Sequence, residues 1–513
     1  MIGSNIRKFR EKKGISQDKL SKMSDLSLNT IVKIEAGRNP NPTIKTLSRI
    51  AGSLSVKVDD LLVFILCFLF FFGGAMSFVY CQELNISAPI TLSLEEAIQT
   101  AAKNNKDIQI QEQGVVAARA GIMDARSEFL PSLNVNAGYM RNDAVAPALA
   151  QSKKDAGVFT GYKNDNSLGA AISQIIYNGG ANIANFNSAK LNVRAQEETL
   201  RAQKLDVEFE TKRLYYGLLL AYETQRIAQE LVDNARDHYR DVQDRYDQGT
   251  SSKFDLLQSE VQVALMIPQL VKAKNAVLLI LSELKKLLSL SQQTEVHLRD
   301  QKLDYVLIDI KEEEFLKTAY LNKPEMALKA LGVDINKWGI AMAKAGWRPQ
   351  VNASLGYDYR SDDIGDMFNN RHSLWNAGFS LTFPLFDGFS TKAKVDAAKA
   401  RYKQAVLTKE NVADQIAVDV KQACLDLKQA QAIIDSQKDS VFKAQEALRI
   451  SVVSYDNGEA KNLDVLDAQV SLGQVQQNLS EGIYDYLMAR AELDRTLGKS
   501  YLVPQEIKSE KKS

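Results

Sequence analysis

The sequence predicts a mostly α-helical protein with a small β part, in which one structural unit occurs twice behind a separate all-α unit at the N-terminus. Three observations lead to this prediction. The second half of the 513-residue chain repeats the first, each half carries two segments that alternate between apolar and polar residues, and the stretch 180–248 contains no proline.

The repeat is visible as a constant offset of 209 residues. This offset places Tyr-Asp-Gln-Gly at 246–249 on Tyr-Asp-Asn-Gly at 455–458, and it holds without a gap from about residue 176 to residue 289. Upstream the offset becomes 218, so that Pro131 aligns with Pro349. Long alignment without insertions is typical of helices, because loops absorb insertions. We therefore interpret the chain as a duplicated half-protein.

Two pairs of segments have the two-residue period of β-strands. Residues 133–139 and 351–357 alternate, and their partner strands are predicted at 167–176 and 373–383. An apolar, aromatic-rich face suits lipid, and the opposite polar face suits a water-filled lumen. A half-buried sheet over a soluble core would give the same alternation, so the strands alone leave both interpretations open.

The predicted helices favour the membrane interpretation. The stretch 180–248 would span roughly 100 Å as one helix, and its apolar and small residues recur in a coiled-coil heptad pattern. Gly249 is its predicted C-cap, and the predicted return helix, 254–290, is only half as long. The other half of the path along the long helix requires another helix, and we predict one helix at 94–129 and one at 317–346, which have the right length. The sequence thus predicts a long α-helical coiled-coil tunnel.

Four strands per chain are too few to close into a barrel, and an open sheet with an apolar surface would expose unpaired edges to lipid. Three chains supply twelve strands, which can close. The prediction is therefore a homotrimer with a twelve-stranded barrel, although strand count alone leaves a dimer or a tetramer open.

Short motifs recur in a fixed order along the double repeat. They are Leu94-Glu95-Glu96-Ala97 and Asn104-Asn105, Pro131 and Pro349 at the strand entries, Ile176-Tyr177-Asn178-Gly179-Gly180 and Leu385-Phe386-Asp387-Gly388 at the strand-to-helix joints, and the turn segments 246–257 and 455–466. In order, spacing and duplication, residues 92–497 resemble the TolC family of outer-membrane efflux and secretion channels.

This resemblance implies a trimeric twelve-stranded outer-membrane barrel that is continued by an α-helical tunnel into the periplasm. It also implies a passive duct of a tripartite efflux or type I secretion system. Such a duct docks to a periplasmic adaptor (membrane fusion) protein and an inner-membrane pump.

The resemblance assigns the adaptor contact to the two turns that end the long helices. A structural role fits the same residue types, because Gly favours a helix C-cap and Asp in a first turn interacts favourably with the helix dipole. The matching residues are Gly249, Thr250, Asp255 and Leu256 in the first copy and Gly458, Asp464, Val465 and Leu466 in the second.

Members of the family often have rings of carboxylates at the constriction of the tunnel tip, where they gate it and favour cations. The usual Asp a few turns before Gly458 is not matched, since Gln445, Glu446 and Arg449 stand there. Each replacement candidate also fits an ordinary solvated helix face. The candidates for the pore constriction are Asp237, Asp241, Glu446 and Asp456.

The N-terminal unit is basic, since residues 1–62 contain 12 Lys or Arg and 6 Asp or Glu. With a Ser16 cap, a predicted second helix at 17–23 and a predicted recognition helix at 28–35, it resembles the Cro and phage-repressor type of helix-turn-helix domain. The resemblance implies that Gln17 and Arg38 hold DNA phosphate and that Leu28, Asn29 and Lys33 face the major groove. The predicted core residues are Ile31, Ile34, Leu47 and Ile50.

Residues 61–81 carry no charged side chain and include a dense apolar run at 63–72. This run is short for a membrane-spanning helix but fits the apolar region of a signal peptide. The acidic pair Asp59-Asp60 departs from the usual basic start of such a peptide. Cleavage is expected near Ser77 or after Cys81; lipidation of Cys81 is an alternative, although Phe78-Val79-Tyr80 makes a poor lipobox.

A DNA-binding unit and an outer-membrane barrel do not fit one uncleaved chain. One hypothesis is a helix-turn-helix upstream of a signal peptide, which arises from a gene fusion or from an over-extended reading frame. If this unit is made, cleavage of the signal peptide would separate it from the channel. The alternative is a membrane-tethered helix-turn-helix transcription regulator with a periplasmic sensor region. Lipid-facing strands and tunnel-length helices have no use in a sensor, so the channel is favoured.

The sequence carries no pattern of catalytic or metal-binding residues. Its three Cys and three His have no disulfide or metal-ligand spacing, and Cys424 is predicted to lie in a helix core. It has no P-loop, zinc-protease motif or nucleophile elbow. We therefore predict that the protein is not an enzyme, binds no cofactor, and depends on a partner for the energy of transport.

The predicted domain boundaries follow from these segments, with the linker 291–310, which lacks a regular pattern, closing the first repeat. They are 1–62 for the helix-turn-helix domain, 63–81 for the signal peptide or hydrophobic segment, 82–310 and 311–501 for the two repeats, and 502–513 for a disordered tail.

Overall fold

The computed structural model describes residues 2–36, 42–54, 56, 89–142, 164–361, 363, 365 and 373–500. The contacts within the chain divide it into two units, residues 1–85 and residues 86–513. Several sequence predictions fall outside the described residues. They concern Arg38, the segment 63–81 with Cys81, and the tail 502–513.

The described residues of the first unit form four helices around one apolar core. Ser16 and Ser27 cap the second and third helices, because their side-chain oxygens accept the backbone N–H groups of Lys19 and Thr30. The four predicted core residues are buried, together with Ile6, Leu20 and Leu54. The helices are α1 Ile2–Lys12, α2 Gln17–Ser24, α3 Leu28–Glu35 and α4 Ile44–Leu54.

The second unit is the double repeat, and its two copies have helices of matching length. The long helix is 67 residues in both copies, and the return helix is 35 residues in both. The first copy contains α5 Leu94–Asn104, α6 Lys106–Ser127, β2 Ser132–Arg141, β3 Asn164–Asn178, α7 Ala181–Asp247 and α8 Lys253–Leu287. The second contains α9 Glu312–Asn322, α10 Pro324–Lys344, β5 Gln350–Ser361, β6 Ser373–Thr382, α11 Ser390–Asp456 and α12 Asn462–Thr496.

The four long strands form one antiparallel sheet in the order β2-β3-β5-β6, so β2 and β6 are its edges. The register aligns Leu133 with Ile172, Ile172 with Leu355, and Leu355 with Ala377. Directly paired residues point to the same side of a sheet. Most apolar residues of the four strands therefore share one face. The other face carries the Asn, Ser and Gly residues between them, together with Met140, Ile175 and Leu374.

The long helices carry the packing of the second unit. Helix α7 packs against α5, α6, α8, α10 and α12, while α11 packs against α9, α10 and α12. The apolar and small residues that form the predicted heptad pattern of α7 are largely buried. They include Leu214, Leu218, Val232 and Val242. Cys424 lies in α11 with 1% of its surface exposed, which confirms its predicted place in a helix core.

The segments before the first strands are each two helices, whereas one continuous helix was predicted in both places. The first breaks at Asn105, whose extended backbone caps α6 and whose side-chain oxygen accepts the N–H groups of Asp107 and Ile108. The second breaks at Lys323, because the proline that follows disfavours helical backbone at the residue before it.

A small parallel sheet lies between the repeats and corrects the prediction that residues 291–310 lack regular structure. Strand β4, Val296–Leu298, pairs with β1, Ile90–Leu92. Three residues are too few to show a period of two. Tyr215 fixes this sheet from α7, since its hydroxyl lies 3.2 Å from the Leu92 carbonyl and 2.6 Å from Asp300 Oδ2.

Candidate functional site

The turn between α7 and α8 is held by backbone geometry that only glycine adopts readily. Gly249 has φ of +75°, and the Thr250 N–H donates to the Arg245 carbonyl at 2.8 Å. Ser252 then caps α8 by accepting the Asp255 N–H at 3.0 Å, and its hydroxyl donates to Asp255 Oδ2 at 2.6 Å. Asp255 thus takes part in the cap of α8.

The turn between α11 and α12 repeats this geometry. Gly458 has φ of +77°, and the Glu459 N–H donates to the Ser454 carbonyl at 2.8 Å. Asp464 Oδ2 accepts the Lys461 N–H at 2.8 Å, which closes the first turn of α12. The capping roles considered for Asp255 and Asp464 are therefore present in both copies.

Not all of the predicted docking residues lie on the surface of the chain. Leu256, Val465 and Leu466 are buried between the helices, Val465 with only 1% of its surface exposed. Their neighbours Phe254 and Leu257 are exposed instead, as are Leu463 and Val470 on α12. Sequence reasoning missed these neighbours, although their spacing within each helix marks a second apolar face beside the buried one.

These exposed residues line a groove of about 390 Å³ between α8 and α12, next to the two turns. Its floor includes Leu466, and Gln258, Gln262 and Asp467 supply polar groups at its sides. Phe254, with 73% of its surface exposed, is the largest apolar side chain of the groove. The arrangement is an apolar groove with a polar rim.

Three of the four candidate constriction carboxylates form ion pairs within the chain. Asp237 meets Arg240 at 3.0 Å, Glu446 meets Arg449 at 2.6 Å, and Asp456 meets Arg245 at 2.5 Å. The hydrogen bond from Arg449 lowers the pKa of Glu446 from its ordinary value. Asp241 is exposed and forms no ion pair with any residue that the structure describes.

Near the two turns, a buried cluster of polar side chains joins the helix pair α7 and α8 to the helix pair α11 and α12. His238 of α7, 7% exposed, lies with Nε2 2.6 Å from Oδ1 of Asn462, the first residue of α12. Asn462 Nδ2 donates to the Asp255 carbonyl at 3.3 Å, and Ser259 Oγ lies 3.4 Å from the same Oδ1. The His238 ring also packs at a tilt of 58° against the Tyr455 ring of α11, with 5.4 Å between the ring centroids, and burial raises the pKa of the Tyr455 phenol.

Replacing His238 tests this junction. We expect His238→Phe to keep the ring packing but to remove the nitrogen that pairs with Asn462, which costs about 1–3 kcal/mol of local stability. Hydrogen exchange should quicken at residues 230–262 and 450–470 and stay unchanged near β1 and β4. His297→Phe, at an exposed position of β4, is the matched control. Equal rates of hydrogen exchange in the two variants would contradict a stabilising role for the contact between His238 and Asn462.

The comparison with known families decides the identity of the double repeat. The sequence model of the family described as "Outer membrane efflux protein" matches residues 97–289 and 315–499. The chain belongs to this family. The match covers both copies and passes over the short segment that contains β4, and membership makes this an outer-membrane protein. The resemblance to the TolC family is thereby confirmed.

Three relatives of known name each align with more than three quarters of this chain. The probable outer membrane lipoprotein SilC of Salmonella typhimurium is 24% identical over 79% of this chain and 85% of its own length. The cation efflux system protein CusC of Escherichia coli is 24% identical over 78% and 85%. The outer membrane protein TolC of Vibrio cholerae is 20% identical over 79% and 90%.

Solved structures support the fold. A crystal structure of CusC has a TM-score of 0.66 at 21% identity and covers 79% of this chain and 92% of that one. The Campylobacter jejuni CmeC outer membrane channel has a TM-score of 0.68 at 21% identity, over 79% and 85%. At this identity the likeness concerns the fold alone. Within the described residues, no group of three His, Cys, Asp or Glu side chains could hold a metal ion.

Ahead of the efflux-family region, residues 6–61 match the family model described as "Helix-turn-helix", which confirms the second resemblance. Leu28, Asn29 and Lys33 are exposed on α3. Gln17 is turned inward, because its Nε2 donates to Glu35 Oε2 at 2.7 Å beside the Arg10–Glu35 ion pair at 2.8 Å. Arg10, Gln17 and Glu35 therefore form a polar cluster that links the first three helices of the helix-turn-helix unit.

Proposed function

We propose that the chain forms the passive duct of a tripartite efflux or type I secretion system, as a homotrimer with a twelve-stranded outer-membrane barrel. The duct docks to a periplasmic adaptor protein and an inner-membrane pump, performs no chemistry of its own and takes its energy from the pump. The observation that carries the proposal is the four-stranded sheet with one apolar face and two edges, since such a sheet is incomplete in a single chain.

The apolar face of this sheet is exposed in the single chain, at Leu133, Val135, Trp375, Phe379 and Leu381. Its opposite face consists mostly of polar and small residues, chiefly Asn, Ser and Gly, which suits a water-filled lumen. Pairing β6 of one protomer with β2 of the next would satisfy both edges and bring the apolar face into contact with lipid all around the barrel. Three protomers give the twelve strands of the proposed barrel.

The helices support the same assembly. A 67-residue helix is roughly 100 Å long, which suits a tunnel that crosses the periplasm. Helix α8 is long and apolar enough to cross a membrane by composition. It packs along α7 instead, and its exposed apolar residues would be covered by a neighbouring protomer. Those residues include Val261, Leu265, Val271, Leu278 and Leu279.

The two turns and the groove beside them are the proposed adaptor site. Gly249, Thr250, Asp255, Gly458 and Asp464 would set the shape of the turns. Phe254, Leu257, Leu463 and Val470 would supply the apolar contact, and the buried Leu256, Val465 and Leu466 would support it from below. Asp241 is the proposed carboxylate of the constriction at the tunnel tip. Asp237, Glu446 and Asp456 could line this constriction only if their ion pairs with arginine were broken.

In this proposal the pump, and not the duct, selects the cargo. CusC is named for cation efflux, whereas AprF of Pseudomonas aeruginosa, 21% identical to this chain, is named for alkaline protease secretion. A polar-walled duct serves either class, because selection occurs before the cargo reaches it.

The proposed domain boundaries separate the duct from the N-terminal unit. Residues 1–62 would form a DNA-binding domain that reads bases with Leu28, Asn29 and Lys33, and cleavage of the segment 63–81 would detach it from the two repeats at 82–310 and 311–501. The tethered-regulator alternative is not favoured, because the family match spans the region that it would assign to a sensor.

The duct predicts a measurable conductance. Oligomer purified from the outer membrane and added to a planar lipid bilayer should give discrete, reproducible current steps, and cross-linking should stop at a trimer. Heat-dissociated protomers from the same preparation are the control and should give no steps. Oligomers that insert but do not conduct, or cross-linked ladders that end at two or four chains, would contradict the proposal.

A further inference from the structure

A cavity of about 490 Å³ lies between α7 and α10, near the end of the helices that adjoins the sheet. Leu191, Trp338, Ile340 and Ala341 form its apolar walls, and Lys337, Lys344 and Arg348 surround them with positive charge. The α10 residues recur at spacings of three and four, which brings them to one side of the helix. The cavity therefore combines an apolar floor with three cationic side chains.

The cationic groups of this cavity are only partly offset by acid, since one carboxylate lines it beside three cations. Lys337 and Lys344 are exposed and form no ion pair with any part of the chain that the structure describes. Arg348 is anchored, because its Nη1 donates to the Gly179 carbonyl at 2.9 Å, and a guanidinium carries further N–H donors beyond that one. Asp334 also lines the cavity, three residues before Lys337 and ten before Lys344, so three cations and one carboxylate leave the lining with a net charge of +2.

The position of the cavity places it at the boundary of the proposed barrel. Helix α10 ends at Lys344, one short turn follows at Ala345–Trp347, and β5 begins at Gln350. The neighbouring aromatic side chains Trp347, Phe386 and Phe389 are exposed at the same boundary. Exposed aromatic residues at the ends of membrane strands mark the level of the lipid head groups.

The charge of the surrounding segments agrees with this position. Residues 384–403 contain five Lys or Arg and two Asp, and residues 179–194 contain two Lys or Arg and no acid. The turn end of the tunnel has the opposite sign, since residues 228–262 contain four Lys or Arg and eight Asp or Glu. Positive charge is thus concentrated beside the sheet, where it would lie against the membrane surface.

We propose that this cavity binds the phosphate of an anionic glycerophospholipid from the periplasmic leaflet, with Lys337, Lys344 and Arg348 around the head group and Trp338 against its glycerol and acyl base. Basic pockets at the membrane surface bind anionic head groups in this way. The inference rests on the proposed barrel, because the cavity meets lipid only if the sheet lies in the membrane.

The test compares two double variants of the oligomer purified from the outer membrane. Lys337→Gln with Lys344→Gln removes the two unpaired cations, whereas Arg348 stays because it anchors Gly179. Lys272→Gln on α8 with Lys428→Gln on α11 removes two exposed lysines that form no ion pair within the described residues, far from the sheet, and is the matched control. Native mass spectrometry in detergent titrated with phosphatidylglycerol or phosphatidylcholine measures the lipid that each trimer retains.

We expect the wild type and the control to prefer phosphatidylglycerol and the cavity variant to bind it roughly thirtyfold more weakly, from the attraction of two lysines to anionic lipid. Equal retention by all three proteins, or equal loss in both variants, would overturn the inference while leaving the duct intact. A wild-type oligomer that cannot enter lipid vesicles would contradict the proposed barrel, and the lipid site with it.

Discussion

Phe379→Lys is expected to abolish assembly of the outer-membrane trimer. Phe379 lies in the middle of β6, pairs with Ala353, and has 84% of its surface exposed on the apolar face of the sheet. A lysine on the lipid face near the middle of the bilayer costs about 2–4 kcal/mol, and a trimer carries three copies. The amount of heat-resistant oligomer in outer-membrane fractions measures the effect.

Ser380→Lys is the matched control, since Ser380 is the next residue of the same strand and points to the opposite face. In the proposed barrel that face lines the lumen, where an added cation meets water. We expect this variant to assemble normally and to change only the ion preference of the channel. If Ser380→Lys failed to assemble and Phe379→Lys assembled, the assignment of the two faces of the sheet to lipid and lumen would be wrong.

Gly179→Ala is expected to disrupt the joint between β3 and α7. Gly179 has φ of +71°, and an added Cβ would lie 2.4 Å from the Ala345 carbonyl oxygen and 3.0 Å from its Cα. Both contacts are backbone atoms of the turn after α10, so neither can swing aside. Left-handed strain and overpacking together cost roughly 2–5 kcal/mol. The temperature at which the oligomer dissociates should fall sharply.

Gly388→Ala provides an internal control at the equivalent position of the second copy. Gly388 has a similar φ of +64°, but nothing lies within 4 Å of the Cβ that the substitution would add. Only the strain of the left-handed backbone remains, about 1–2 kcal/mol. Equal losses in the two variants would mean that backbone conformation, and not the close approach of Ala345, controls the joint.

The long elements could be predicted because their patterns are long. The stretch 180–248 corresponds to a helix at Ala181–Asp247, and the segment 373–383 to a strand at Ser373–Thr382. Many periodic residues outweigh local preferences there. Duplication helped as well, since each copy predicts the other, as the matching φ values of Gly249 and Gly458 illustrate.

The features that sequence reasoning missed depend on contacts between distant residues. The break at Asn105 is fixed in part by its Nδ2, which donates to the Leu287 carbonyl at 3.0 Å across 182 positions. The junction of His238 with Asn462 spans 224 positions. At the turns, packing of the surrounding helices decides that Leu256 is buried and Leu257 exposed, although the two are adjacent leucines.

The central claim is that a trimeric duct, free of the N-terminal unit, lies in the outer membrane. Membrane fractionation of the expressed chain, followed by N-terminal sequencing of the heat-resistant oligomer, tests it most directly. We predict an outer-membrane trimer whose protomers begin between Ser77 and Leu84. An inner-membrane species that still begins at Met1 would contradict the duct and support a tethered regulator.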